Sequence, residues 1–252
     1  MMKMKKTLII LIALLPVSLF AQGAKQLAAE ADSLYRTGEY QRAAETYEAV
    51  IATDSVNADL YYNLGNSYYR LNQMGLAILN YERALRLSPS MADAEENLAL
   101  ANSHTADRIT KLPRLFIVRW IDSLVQQLPS TWRVVSLILF TLLCAAVVIF
   151  VLSSSLGWRK GSFTAIIISA VLLIGSLLLL FASSHRFNTR ADAIIMQPSV
   201  SVKSSPEQQS VDKLILHEGT KVTITESLSG WEKITLADGT TGWCEISMIE
   251  RI

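Results

Sequence analysis

Histidine and cysteine are the residues most able to do chemistry, and both are sparse in this chain. His104, His185 and His217 fall one to each region. An imidazole-based metal site needs several ligands at a spacing that shares a helix face or loop, and neither a CxxC nor an HExxH pattern is present. Cys144 lies in a long apolar run and Cys244 near the C-terminus, after Trp243. Thiols at such different depths do not meet, so no internal disulfide is expected. The "SSP" at 204–206 reads as a loop and lacks the strand–turn–helix setting of a nucleophile elbow. The glycines form no phosphate-cradling loop. The expectation is therefore a protein with no catalytic residue, no cofactor and no metal site, and not an enzyme.

Side chains suited to recognition are better represented. Tyr35–Arg36 recurs 34 residues later as Tyr69–Arg70. Tyrosine offers a large contact area at low entropic cost, and Asn and Arg add a few oriented hydrogen bonds. Tyr35, Arg36, Tyr69 and Arg70 are therefore candidate contact residues, although packing alone also produces such repetition. A second candidate is Trp231 near the C-terminus, which either lines a ligand groove or fills a small core. For Trp243 the core is favoured.

The elements that must position these residues follow from periodicity. The 34-residue offset extends to Ala43/Ala77, Tyr47–Glu48/Tyr81–Glu82, Ala58–Asp59/Ala92–Asp93 and Asn63–Leu64/Asn97–Leu98. Within 58–91 the series runs Tyr61, Leu64, Gly65, Tyr68, Ala77, Tyr81, Ala84, Pro89. This pattern resembles the tetratricopeptide (TPR) repeat. The resemblance implies paired helices over 24–57 and 58–91 and a partial or capping repeat from residue 92, in a domain spanning 22–110. It also implies a concave face lined by the first helix of each repeat, where Tyr62 and Asn66 join Tyr35, Arg36, Tyr69 and Arg70 as the candidate peptide-binding residues. Some relatives clamp a C-terminal carboxylate there, but Asp59, Asp93 and Glu96 make this surface mixed in charge.

Three apolar stretches set the chain's surroundings. Lys3, Lys5 and Lys6 precede an apolar run from Leu8 to Phe20, and "LFAQ" offers Ala21 as a cleavage point, so 1–21 reads as a signal peptide. Left uncleaved it would be an anchor with the same orientation. Segments 132–154 and 163–183 have the length and composition of transmembrane helices. Each carries more than enough Leu, Ile, Val and Phe, at about −0.3 to −0.6 kcal/mol apiece, to insert favourably. The link 155–162 holds Arg159 and Lys160 and is assigned to the cytoplasm; a two-helix hairpin is expected. Ahead of it, 111–131 has Phe116, Trp120, Leu124 and Leu128 at spacing four, ended by Pro129. That is an amphipathic helix, lying on the membrane surface or packed on the repeats.

From residue 190 the period changes to two. Val200/Val202, Leu214/Ile216, Val222/Ile224 and Ile234/Leu236 alternate as half-buried strands do, and "ADGTTGW" (237–243) reads as a tight hairpin. Together with "VSVKSSP", "LHEGTKVTI" and "MIERI" these strands resemble the bacterial SH3 domain, which implies a small all-β barrel over 190–252. The fold class is thus a multi-domain membrane protein: an all-α TPR solenoid, a two-helix transmembrane hairpin and a small all-β SH3-like barrel.

Charge narrows the partners. The chain has a formal net charge of +1, yet 22–110 and 187–252 each hold more acids than bases, and the remaining Lys and Arg flank the apolar segments. No basic stripe of the kind nucleic acid requires exists, so that class is dropped. The order of modules, with "ADAEENLALANSHTADRI" (92–109) leading into "LPRLF", resembles the BatE family, TPR proteins of the Bat (aerotolerance) operon. The signal peptide followed by two spans puts both soluble modules on the periplasmic side, and the resemblance implies an inner-membrane location. The partners it implies are Bat membrane proteins carrying von Willebrand factor A domains. It also implies a role in aerotolerance or envelope stress. The two binding-type modules on either side of an even number of spans lead to the expectation of a non-enzymatic membrane adaptor. The rival expectation is a cell-wall sensor whose SH3-like module binds peptidoglycan peptides.

Overall fold

The computed structural model describes residues 24–53, 57–110, 115–125, 127–189 and 191–252. The expected signal peptide lies outside the described residues. The chain divides into two compact units. One takes both flanks, up to Lys111 and from Ala191; the other is Leu112–Arg190.

In the first unit, helix α1 (24–36) pairs with α2 (Tyr40–Ile51), and α3 (Ala58–Arg70) with α4 (Met74–Leu87); α5 (Ala92–Ser103) follows without a second helix. The 34-residue repeat is visible in the backbone. Gly38 and Asn72, one repeat apart, both take left-handed φ, +85° and +61°. In each turn the same closing bonds form: Glu39 N–H to Leu34 O, and Gln73 N–H to Tyr68 O. This is the six-residue closure that caps a helix C-terminus through a left-handed residue. Asn57 caps α3, its side chain accepting from Leu60 N–H at 2.8 Å.

Small residues set the interhelix spacing. A Cβ at Gly65 would sit 2.8 Å from the Tyr81 ring and 3.3 Å from Ala77 O. Ala31, its counterpart one repeat earlier, is fully buried, as are Ala43 and Ala77. The large partners Tyr47 and Tyr81 are buried against them and belong to one core cluster with Leu60, Leu64 and Ile78.

The C-terminal strands form one antiparallel sheet in the order β3-β2-β6-β5-β4-β1-β7. The strands are β1 (Ala191–Ile195), β2 (Val200–Lys203), β3 (Asp212–Leu216), β4 (Lys221–Leu228), β5 (Trp231–Thr235), β6 (Thr241–Glu245) and β7 (Ile249–Arg251). Their alternating residues Val200, Val202, Val222, Ile224 and Ile234 fill its core with Cys244. The β5–β6 hairpin closes through Leu236, whose N–H bonds Thr240 O, with Gly239 at φ +88°. Only glycine takes that backbone cheaply, which is the role expected for Asp238–Gly239.

The sheet is not a closed barrel, a correction to the expected architecture. Among the described residues no ladder joins β3 to β7. A physical reason lies at the β7 edge: Arg83 and Arg86 of α4 donate to the carbonyls of Arg251 and Ile252, at 2.7 Å and 2.5 Å. A helix, rather than a returning strand, covers this edge.

The second unit holds α6 (Phe116–Val125), α7 (Pro129–Leu152) and α8 (Leu156–Thr189). Both α7 and α8 are long and apolar enough to cross a membrane. Pro129 opens α7 at its first turn, where its missing N–H costs nothing. The expected link at 155–162 is shorter than the sequence indicated: Leu156 already starts α8, and Arg159 and Lys160 lie on its first turns. Ser162, Ser169, Ser176 and Ser183, seven apart on α8, are all buried, and Ser176 hydrogen-bonds Ser136 of α7 at 2.9 Å. Heptad spacing keeps them on one face, where small hydroxyl residues allow close helix contact. The apolar stripe of α6 is exposed, with Phe116 72% and Trp120 64% accessible.

Candidate functional site

The first helices carry the residues singled out by the repeat. Two of the six are absorbed by a polar network inside the solenoid. Asn66 Oδ1 accepts from Tyr81 Oη and from Asn97 Nδ2, both at 2.8 Å, and Asn97 also reaches Tyr62 Oη at 3.2 Å. The same network exists one repeat earlier: Asp32 accepts from Tyr47 Oη at 2.5 Å and from Asn63 Nδ2 at 3.3 Å. Each acceptor on a first helix thus binds the tyrosine of its own second helix and the asparagine of the next first helix. Burial, reinforced by the bond to Asp32, pushes the Tyr47 hydroxyl well above its ordinary pKa. Burial does the same for Tyr81. Both therefore remain hydrogen-bond donors across any physiological pH.

The other four residues lie nearer solvent. Arg36 and Arg70 are exposed; Tyr35 and Tyr69 are half-buried, packed on the core by one side. Burial raises the Tyr35 hydroxyl pKa despite the nearby Arg70 charge. Two partners were not singled out in the sequence. Tyr40 Oη accepts from Arg70 Nη2 at 2.6 Å, the guanidinium lies 4.9 Å over its ring, and Tyr35 meets it edge-on at 5.3 Å. His104 Nε2 lies 3.4 Å from Tyr69 Oη. Tyr40 has no counterpart, since Met74 stands one repeat later. His104 had a signal: it falls 34 residues after Arg70, which itself follows Arg36 by 34. The ends of the three first helices therefore carry Arg36, Arg70 and His104 at equivalent positions.

Helix α4 is engaged by the C-terminal sheet. Lys221 of β4 bonds Glu82 at 2.6 Å, and Arg83 bonds Glu250 at 2.9 Å. Gly75 N–H donates to Glu218 Oε1 at 2.9 Å. Ile194, Met196 and Ile252 join the helical core cluster. Glu82 repeats Glu48, which accepts a hydrogen bond from Tyr68 of the following repeat. At the Tyr68-equivalent position the chain has Asn102, and Lys221 supplies the bond instead. The sheet thus takes a role that a further repeat would fill.

After α5, Asp107 ties this junction together. It accepts from Thr220 Oγ1 at 2.6 Å and His217 N–H at 2.7 Å, and its other oxygen lies 2.8 Å from His217 Nδ1. Burial opposes its ionisation, but the bonds from Thr220 and His217 outweigh burial and hold the carboxyl below its ordinary pKa. On the sheet itself Trp231 is half-buried and Trp243 buried beneath Lys233, whose ammonium sits 5.7 Å from the ring centroid. Glu232, fully buried, is satisfied by Ser227 and Arg251 at 2.6 Å each. The Cys244 thiol is pushed up to about 12, first by burial and then by nearby Glu232 and Glu245. It is an inert core thiol at neutral pH. Among the described residues, no group of three or more His, Cys, Asp or Glu side chains is placed to hold a metal ion.

A family model for the tetratricopeptide repeat matches residues 28–92. No curated protein matches the chain.

Proposed function

We propose that the chain is a membrane-anchored, non-enzymatic adaptor whose repeat face binds a protein partner. The carrying observation is the division of the two sides of the solenoid. Helix α4 is occupied by the chain's own sheet, whereas Arg36 and Arg70 at the ends of the first helices are exposed. Tetratricopeptide arrays act as docking scaffolds rather than as catalysts, and the half-buried tyrosines beside these cations supply rigid contact area.

The anchor in this reading is the α7–α8 pair. The contacts of Gly75, Glu82 and Asp107 with the sheet require both modules on one side of any membrane that the intervening chain crosses. Two crossings meet that condition and one does not. An exported N-terminal segment then puts both modules outside the cytoplasm, on the periplasmic side of the inner membrane. The resemblance to BatE favours membrane partners carrying von Willebrand factor A domains, and a role in aerotolerance.

The test is a crosslinked pull-down from membranes, comparing wild type with Arg36→Ala/Arg70→Ala. Recovery of a von Willebrand-type membrane protein by wild type, reduced about tenfold or more in the variant, is expected if two charge-assisted contacts are lost. Undiminished recovery would move recognition away from the repeat face.

A further inference from the structure

We infer that α6 is a lipid-binding element: its Phe116, Ile117, Trp120 and Ile121 face inserts at the lipid–water boundary beside the C-terminal end of α8. The inference rests on the reading of α7 and α8 as membrane spans.

Helix α6 has two unlike sides. At about 100° per residue, Phe116, Ile117, Trp120 and Ile121 fall within about 140° of one another, and Arg119, Asp122 and Ser123 share the opposite side. Such a helix in water turns its apolar side to the protein and its charges to the solvent. Here the arrangement is inverted. Phe116, Ile117, Trp120 and Ile121 are 72%, 53%, 64% and 47% exposed. The Asp122 side chain is only 26% accessible and lies 3.8 Å from Arg186 of α8.

The helices it adjoins are inverted in the same way. On α7 and α8, Leu137, Phe140, Leu172 and Leu178 are exposed, whereas Ser136, Ser162, Ser169, Ser176 and Ser183 are buried. Surroundings that take leucine and leave serine to the interhelix contact are hydrocarbon rather than water. Helix α6 belongs to the same compact unit and follows the same rule. The medium around the spans is therefore what covers its apolar face.

Three contacts within this unit fix the depth. Asp122 meets Arg186, Ser183 Oγ donates to Gln127 O at 2.5 Å, and Trp132 Nε1 of α7 donates to Leu124 O at 3.0 Å. The apolar run of α8 ends at Phe181. Ser183 and Arg186 lie about 3 Å and about 8 Å beyond it along the helix axis. Asp122 and Gln127 are thus held where hydrocarbon gives way to headgroups. Trp120 and Ile121 stand within two residues of Asp122 and share that level. Tryptophan concentrates there because its ring is apolar and its N–H polar, and Trp132 lies at the same end of the spans. Arg119, Arg133 and Arg186 outnumber Asp122 on these helix ends, which suits headgroup phosphates.

The test uses the full chain in a Cys144→Ser/Cys244→Ala background, reconstituted into phosphatidylethanolamine/phosphatidylglycerol vesicles. Ile117→Cys, Ile121→Cys and Arg119→Cys are each labelled with a nitroxide. Its collisions are read against oxygen, which partitions into lipid, and against a water-soluble nickel chelate. The expected oxygen-to-nickel ratio is severalfold higher at 117 and 121 than at 119. Nickel preference at all three positions would overturn the inference. Low collision with both reagents at 117 and 121 would do so too, because it marks a face covered by protein. If carbonate strips the protein from the vesicles, the spanning reading fails and takes this inference with it. A chain that resists carbonate while 117 and 121 favour nickel leaves the anchor intact and sinks only the lipid role of α6.

Discussion

Gly65 shows how one residue fixes the spacing of a helix pair. The Tyr81 ring and Ala77 carbonyl occupy the space a side chain would need. Replacing Gly65 with Val adds helix-compatible atoms but forces α3 from α4. A loss of about 1–3 kcal/mol is expected, read as a lower urea midpoint of the helical signal with an unchanged slope. A midpoint equal to wild type would mean that α4 moves aside freely. Ala77 and Tyr81 were legible in the sequence because they repeat as Ala43 and Tyr47, and Gly65 because it fills the small-residue position of the repeat, held by Ala31 in the first copy. The Asn66 network was not, because its acceptor is Asp32 in the first repeat and Asn66 in the second. Two different residue types doing one job hide a repeat that the hydrogen bonds make plain. Tyr40 was invisible for the opposite reason, since it lacks an equivalent altogether.

At the scale of elements, α4 and the loop after α5 bind the sheet through groups drawn from three separate stretches of chain. Periodicity locates each helix and strand, yet it has no means of saying that Glu82 will meet Lys221. That pairing was therefore missed. A second consequence was missed with it: the sheet does not close, because arginines from α4 occupy its β7 edge. The junction should depend on acid in a defined direction. Asp107 has its folded pKa lowered, so its contribution is fully present above the unfolded value, about 3.9, and is lost as pH falls through the folded one. Amide protection factors at 105–110 and 217–220, taken relative to intrinsic exchange at each pH, should be high at neutral pH and fall only below about pH 4. In Asp107→Asn the protection should already be lower at neutral pH, with a shallower acid dependence. Identical profiles for the two proteins would show that Asp107 does not hold the junction.

For the whole molecule, the sequence order of modules conceals which of them are neighbours. Repeats and sheet are separated by the entire apolar pair, yet they form one compact unit, with Ile194, Met196 and Ile252 completing a core begun by α1–α4. A solenoid of two repeats and one extra helix is short, and repeat arrays need their ends covered. Here one cover comes from the far end of the chain, which makes the stability of each module depend on the other.

The most direct test of that account is a disulfide between Gly75→Cys and Glu218→Cys, made in a Cys144→Ser/Cys244→Ala background. A Cβ at residue 75 would lie 2.6 Å from Glu218 Cγ. The two Cβ atoms are then at most about 4 Å apart, the separation a disulfide uses. Cleavage in intact membranes at a protease site inserted between α7 and α8 should leave fragments that stay joined until reductant is added. Fragments that separate without reductant would show that repeats and sheet are not partners, and the account of a single capped unit would fall.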